Sequence, residues 1–481
     1  MSRIETRLFI NNQYVRSRSG ATLTVRNPTD DSTITNDLQV AGEEDINTAV
    51  VAANVAFQTG PWSSFTGQQR GKCLFRLADL IEGDADSLLQ LETMAMGVPK
   101  AGVEFMMPLV SKYLRYYAGY ADKISGESYP AEDGIYKIVT YEPLGVCASI
   151  ASFNATFLYV ALKLGPALAA GNTCIFKASE KAPFGALALG RLVCKAGFPP
   201  GVINFISGGA QTGKLLGSHM GIAHINFTGS VTAGCKVQEA AAKSNLKRCV
   251  LELGGKSAAI VFNDAHIATA LACCSFGFLA NTGQVCVATS RVYVQDDIAS
   301  TFIEALRCQF EEARTRVGDP KSSSTLFGPL ADKDQMNRVL AYIEDGKIEA
   351  DLICGGNRIG DEGCFVEPTI FLNPNPGSKV YTEEIFGPVL VVKTFQTEKE
   401  AISLANDTQF GLSEASIYTQ DISRALRVSG LLKTGTVGIN KNFSPEVETP
   451  FGGVKASGSG RESGKAGLME YLEPKTIHIS I

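Results

Sequence analysis

The sequence predicts an α/β protein built from a parallel, doubly wound domain, a second α/β domain and a small β arm. Three observations carry this. Strand, turn and helix patterns alternate in series over 145–242, which calls for parallel βαβ units. A second set of the same kind follows Gly255. Two alternating segments, 135–141 and 475–481, have no local strand to pair with, so they pair with each other or across a subunit interface. At 481 residues the chain is also too long for one simple core and supports two or three domains.

The elements follow in chain order. Residues 44–57 (EDINTAVVAANVAF) place apolar side chains at helical spacing after an acidic start, and 69–91 reads as one more helix. These are surface helices of the first α/β portion. Residues 135–141 (IYKIVTY) alternate as a strand. Residues 145–153 (GVCASIASF) form a short buried strand, and 155–170 (ATFLYVALKLGPALAA) a helix. Strands at 172–176, 202–206 and 222–227 alternate with helices at 184–196 and 230–242, and this set is read as a nucleotide domain. The second set has strands at 258–262 and 291–294 around a helix at 265–280. Glycine-rich loops over 383–460 complete a catalytic domain, and the tail 475–481 (KTIHISI) is the last strand.

Composition removes several classes. Apolar residues make up 45% and charged residues 19%, the mix of a soluble globular protein. A formal charge of −5 offers no basic footprint for nucleic acid. The 12 cysteines are scattered without a CxxC pair, and residues 1–18 lack the apolar core of a secretory signal, so reduced thiols in the cytoplasm are expected. No apolar run approaches ~18 residues, so no membrane span is expected. The four histidines form neither HExxH nor a CxxC…H spacing, and there is no GxSxG. A metal site is therefore not expected, and acid–base work falls to carboxylates, lysine or cysteine.

Five segments can carry chemistry, each with a plainer alternative. Asn281-Thr282-Gly283-Gln284-Val285-Cys286 sets a cysteine in a turn after a helix, either exposed at a cleft or buried as a structural thiol. A thiol of pKa ~8.5 is only a few per cent ionised at neutral pH, so a nucleophilic Cys286 needs backbone N–H groups or a bound nicotinium ring beside it. Glu252, in Leu251-Glu252-Leu253-Gly254-Gly255-Lys256, is either a solvated acid or a base raised by its leucine neighbours. Asn154, after a strand's carboxyl end, is either an oxyanion donor or the N-cap of the next helix. Lys177 and Glu180 follow a strand and form either a solvated pair or ribose contacts. A Glu180 carboxylate there would repel a 2′-phosphate, favouring NAD while leaving NADP possible. Gly229 and Ser230 open a helix whose N-terminus suits a pyrophosphate, and Gly208 ends the preceding strand, although neither segment is GxGxxG.

Together these segments resemble the aldehyde dehydrogenase superfamily, end to end from RLFINNQYV at Arg7 to the KTIHI tail. The most specific motifs are LELGGK at Leu251, NTGQVC at Asn281, FTGS at Phe227, EEIFGP at Glu383 and PFGGVKASGSGRE at Pro450. The resemblance implies NAD(P)-dependent oxidation of an aldehyde to an acid through a thiohemiacetal and thioester on Cys286. It makes Glu252 the base that activates water and Asn154 the oxyanion donor. Lys177 and Glu180 become ribose contacts, Ser230 a pyrophosphate contact flanked by Gly208 and Gly229, and Glu384 and Phe386 the pair that positions the nicotinamide end, with Gln335 reaching the cofactor as well. It also implies a cofactor domain over 1–122 and 144–252, a catalytic domain over 253–455 and an oligomerisation arm over 123–143 and 456–481, pairing copies into a homodimer or homotetramer. The intact glutamate favours hydrolysis over acyl transfer to coenzyme A. The sequence departs from the family around Ser152-Phe153-Asn154-Ala155-Thr156: Ala155 and Pro445 stand where aromatic tunnel residues are common, which predicts a wider mouth and a bulkier aldehyde.

Overall fold

The computed structural model describes residues 4–411, 414–442 and 446–481. Pro445 therefore lies outside the described residues. Among them, no helix is long and apolar enough to cross a membrane.

The first sheet has five parallel strands at its centre: β1 (Val146–Ile150), β2 (Thr173–Lys177), β3 (Ile203–Ile206), β4 (His224–Gly229) and β5 (Arg248–Leu253). They lie in the order β3-β2-β1-β4-β5. Every residue of β1, β2 and β3 is buried, as expected for strands covered on both faces. The order reverses between β1 and β4, the point where loops diverge and leave a crevice at the carboxyl ends. Leu8–Ile10 and Gln13–Val15 extend one edge, and Gly458–Ser459 extends the other antiparallel to β5.

The second sheet runs parallel from Thr369–Leu372 through Val389–Phe395, Arg291–Gln295, Ala258–Val261 and Ala415–Tyr418 to Val437–Ile439, with Asp351–Cys354 antiparallel at one edge. The two segments expected to lack local partners pair with each other, Leu472–Ser480 antiparallel to Ile135–Pro143, but the second also has a local partner, because the chain turns back at 133–134 and Glu127–Glu132 pairs with it as a third strand. Apart from its innermost residue the tail strand is exposed, Ile477 and Ile479 included.

The structure corrects several element boundaries. The single helix expected over 69–91 is two, Gly67–Gly83 and Ala85–Met96, broken at Asp84. The helix expected over 184–196 breaks at Leu189 into Phe184–Ala188 and Gly190–Ala196. The one expected over 265–280 is α-helical over Ile267–Ala272, then widens to a π turn at Cys273–Gly277. Such a bulge shifts the register of the following turn and is frequent beside functional sites. Residues 456–471 do not join the arm, because Gly458–Ser459 is hydrogen-bonded to β5 and the helix Gly464–Met469 packs on the helix Thr156–Ala170. The long helices Lys100–Tyr120, Asp296–Arg314 and Lys333–Glu349 complete the layers.

Candidate active site

Asn154 follows the carboxyl end of β1. The residue capping the next helix is Ala155, with φ −160° and no side-chain cap bond, so the amide of Asn154 is not used as an N-cap. Its Oδ1 accepts from the Tyr159 hydroxyl at 2.9 Å, and its Nδ2 donates to the Gln284 carbonyl at 2.9 Å. An amide nitrogen carries two hydrogens, so one N–H remains to meet a ligand.

The turn that carries Cys286 is tied to the same asparagine. Asn281 and Thr282 adopt left-handed backbone, φ 50° and 57°, where ordinary side chains are uncommon. Three groups hold them there. Asn281 Nδ2 donates to the Asn154 carbonyl at 3.2 Å, Thr282 Oγ1 to the Gly328 carbonyl at 2.8 Å, and buried Gln284 accepts the Ala331 N–H at 2.9 Å. Cys286 is partly exposed. Burial pushes its thiol up to about 12, and the carboxyls of Glu384 and Glu252 add to the rise.

Glu252 lies near the carboxyl end of β5 and is buried. Its Oε2 accepts the Gly453 N–H at 3.4 Å, while Oε1 has no hydrogen-bond partner among the described residues. Burial holds its pKa well above the usual carboxylate range, Glu462 adds to the rise, and Lys163 opposes it. Sequence reasoning gave neither of these two neighbours a role. Lys163 is fully buried and donates to Glu462 Oε1 at 2.8 Å, Asn226 Oδ1 at 2.6 Å and Thr228 Oγ1 at 2.7 Å. The signal was present: Lys163 is the one charge in the apolar run 155–170, and a buried ammonium demands a partner.

Glu384 and Phe386 come from the loop before Val389–Phe395. Glu384 Oε1 accepts the Gly255 N–H at 3.2 Å, and burial raises its carboxyl to about 7. The approach needs glycine, since a Cβ on Gly254 would stand 2.0 Å from Glu384 Oε2. Phe386 takes φ 59°, and its ring meets Phe153 edge-on at 5.7 Å. Gln335 holds this loop by donating to the carbonyls of Phe386 at 2.8 Å and Ile385 at 3.2 Å.

These residues meet in a cavity of ≈ 100 Å³ lined by Asn154, Glu252, Cys286, Glu384, Phe386 and Gln335, with Gly229 and Ser230 at its wall. Ser230 caps the helix Val231–Lys243, its Oγ accepting the Ala233 N–H at 3.3 Å. Lys177, Glu180 and Gly208 lie outside this cavity, at or after the ends of β2 and β3. Buried Lys177 reaches Glu180 at 3.3 Å, and burial lowers its ammonium pKa. Glu180 lines a separate cleft of ≈ 520 Å³ with residues of the 23–28 and 331–334 segments. Gly208 abuts Thr212, whose Oγ1 would stand 2.1 Å from a Cβ there. A second, larger cavity, a tunnel of ≈ 570 Å³, also reaches Cys286; it is lined by Ala155, Leu158, Phe276, Phe327 and Phe451 among others, and again by Asn154, Glu252 and Cys286.

A model of the aldehyde dehydrogenase family matches residues 14–477. An aldehyde dehydrogenase from Davidiella tassiana is 43% identical over 479 residues, 99% of this chain and 95% of that protein. Human retinal dehydrogenase 2 is 43% identical over 481 residues, 99% of this chain and 92% of that protein. Among solved structures, betaine aldehyde dehydrogenase from Staphylococcus aureus in complex with NAD+ superposes with a TM-score of 0.96 at 34% identity, covering 99% of this chain and 95% of that one. The aldehyde dehydrogenase KauB from Pseudomonas aeruginosa also gives 0.96, at 37% identity, covering 100% of this chain and 97% of that one. The chain belongs to the aldehyde dehydrogenase family.

Proposed function

We propose that this chain oxidises an aldehyde to its carboxylic acid with NAD(P)+ by covalent catalysis at Cys286. The observation that supports this most is that Cys286, Asn154 and Glu252 line two cavities at once, the one beside Glu384 and Phe386 and the apolar tunnel. A nucleophile at such a junction can meet a substrate on one side and a redox partner on the other.

The residues on the first side suit a dinucleotide. The N-terminus of Val231–Lys243 opens at the carboxyl end of β4, where its N–H groups and dipole favour phosphate. Lys177 offers a buried ammonium with Glu180 beside it, fitting ribose hydroxyls. Glu384 stands at the inner cavity with an acceptor carboxyl, and Phe386 presents a ring edge there. When bound, the oxidised dinucleotide supplies a hydride acceptor and a positive charge near Cys286. NAD is favoured over NADP because a 2′-phosphate beside the half-exposed Glu180 carboxylate would be repelled.

The chain's own residues do the rest. Cys286 Sγ, as thiolate, bonds to the carbonyl carbon of the aldehyde, and the resulting oxyanion takes the second N–H of Asn154 Nδ2 and the Cys286 backbone N–H. Loss of hydride from that carbon leaves a thioester on Sγ. Glu252, in its ionised form, then takes a proton from a water that adds to the thioester carbonyl, and collapse expels Sγ and frees the acid. Ala155 in the tunnel wall leaves room for a bulky tail. The exposed three-stranded sheet with Ile477 and Ile479 provides a surface for pairing copies into a homodimer or homotetramer, which light scattering would test.

The test is an aldehyde screen followed by NADH formation, run beside Cys286→Ala. Turnover by wild type and none by the variant, which still binds NAD+ in calorimetry, is the expected result. Equal turnover by both would remove Cys286 from the chemistry.

A further inference from the structure

We infer that the tunnel selects aldehydes whose tail is extended, apolar and uncharged, rejecting both anionic and cationic tails, an inference that rests on the aldehyde-oxidising reading above. Its volume of ≈ 570 Å³ is the first ground, since sites of ~300–1,000 Å³ suit ligands of drug size and a two-carbon aldehyde would leave most of the space unfilled. The second is charge. Among the described residues lining it there is no lysine, arginine or histidine. The charged side chains that do line it are Glu252, Glu414 and Glu462. A carboxylate on the tail would give up its water and meet only like charge.

A cationic tail fares little better, because Glu462 and Glu414 are already hydrogen-bonded and Glu252 stands at the reacting end, away from where a tail's far charge would lie. Glu462 is held by Lys163 and Asn226 at 2.8 and 3.0 Å. Glu252 stands at the Cys286 end of the tunnel, where both this cavity and the inner one reach it. Glu414 is buried and accepts from Ser416 Oγ at 3.4 Å. Elsewhere the wall is mostly apolar, with Met106, Leu109, Leu158 and Phe327 along it, and its remaining polar groups, Thr289 and Asn442 among them, are uncharged. The third ground is the lip: Phe105 is 68% exposed and Leu326 37%, two apolar side chains left in water among the lining residues. A hydrocarbon tail passing between them removes apolar surface from water on both sides of the contact.

The test compares kcat/KM for propanal, hexanal and decanal, then for hexanal against 6-oxohexanoate and 6-trimethylammoniohexanal. The expected gain is roughly fourfold per methylene at most along the neutral series. Both charged tails should fall at least about a hundredfold below hexanal, an unpaired charge in hydrocarbon being far costlier than a lost contact. Met106→Arg and Leu109→Arg, two independent half-buried positions on Lys100–Tyr120, should each close the gap between 6-oxohexanoate and hexanal by about tenfold, the size of one partly buried charge pair. Thermal melts report whether each variant folds. A flat neutral series, or either charged tail used as well as hexanal, overturns the inference while a Cys286-dependent burst of NADH with propanal upholds aldehyde oxidation. No NADH and no burst with any aldehyde overturns both.

Discussion

Replacing Glu252 with glutamine should split the reaction into a step that survives and a step that does not. Glutamine keeps the volume of the side chain, and the carboxyl it replaces has one oxygen without a partner among the described residues and one accepting the Gly453 N–H at 3.4 Å. The cleft should therefore keep its shape, while the group at its wall can no longer take a proton. A positioned base contributes ~10²–10⁴-fold, so steady turnover should drop by that factor, roughly 2.7–5.4 kcal/mol in barrier. In the proposed mechanism, attack by Cys286 and loss of hydride precede the need for this base. Stopped-flow NADH absorbance should then show a stoichiometric burst followed by a slow phase.

The pH dependence carries a sign. Burial raises the Glu252 pKa, so the base form appears only as pH rises beyond the ordinary carboxylate range, and wild-type deacylation should climb across that upper window. Through linkage, the folded state binds this proton more tightly than the unfolded state. Its contribution to stability is present below the unfolded carboxyl value and is lost as pH rises through the folded one. Because Glu252 also raises the Cys286 pKa, the glutamine variant should be alkylated by iodoacetamide at lower pH than wild type. Equal loss of burst and turnover, or turnover left intact, would show that Glu252 is not the base for hydrolysis.

Three further outcomes are open to measurement. Asn154→Ala should slow the burst phase by ~10²–10³-fold through loss of an oxyanion donor; because the Tyr159 hydroxyl loses its acceptor, while the Gln284 carbonyl keeps a bond from Asn281 Nδ2 at 3.4 Å, unfolding should also become easier by ~1–3 kcal/mol. Glu180→Gln should lower the ratio of kcat/KM for NAD to that for NADP by about tenfold, the worth of a pKa-unit-sized charge effect, and a wild-type preference for NADP would refute the role given to this carboxylate. Lys163→Met strands the buried Glu462 carboxyl and should cost ~3–5 kcal/mol in chemical denaturation, with Lys163→Met/Glu462→Gln recovering part of it; no recovery would mean that the pair is not the source of the loss.

The layout of the first sheet was legible in the sequence because parallel strands buried on both faces leave continuous apolar runs, as in Val146–Ile150 and Thr173–Lys177. The helix breaks were not. Asp84 and Leu189 interrupt helical spacing with no proline at the break and only a single adjacent glycine, Gly83 or Gly190, which a helical pattern tolerates, so periodicity alone runs through them. The placement of 456–471 rests in part on a two-residue antiparallel register, Leu251↔Ser459 and Glu252↔Gly458, and a two-residue strand is too short to leave an alternating pattern. In the candidate site, motifs flagged Cys286, Glu252, Glu384 and Phe386, and the structure brings these to one cavity. Lys163 and Glu462 lie 299 positions apart and face each other only through folding. Pairing of that kind is a tertiary fact, and a single chain's pattern does not encode which distant charge a buried lysine will find.

The electrostatics of the cleft run against a standing thiolate, and that bears on how the proposed nucleophile works. Glu384 and Glu252 both push the Cys286 thiol up, and each is itself raised by burial, Glu384 to about 7. A group of carboxyls packed around one sulfur shares too little water to ionise together, so each disfavours charge on the others. Left alone, such a cysteine is a thiol with little reactivity toward oxidants or stray electrophiles. In the proposed mechanism it would become a nucleophile when positive charge enters the cavity that Glu384 and Phe386 line, since that charge would stabilise the thiolate and the carboxylates together. Glu252, raised chiefly by burial and by Glu462, would in that mechanism then act on the water only where the pH is high enough to ionise it.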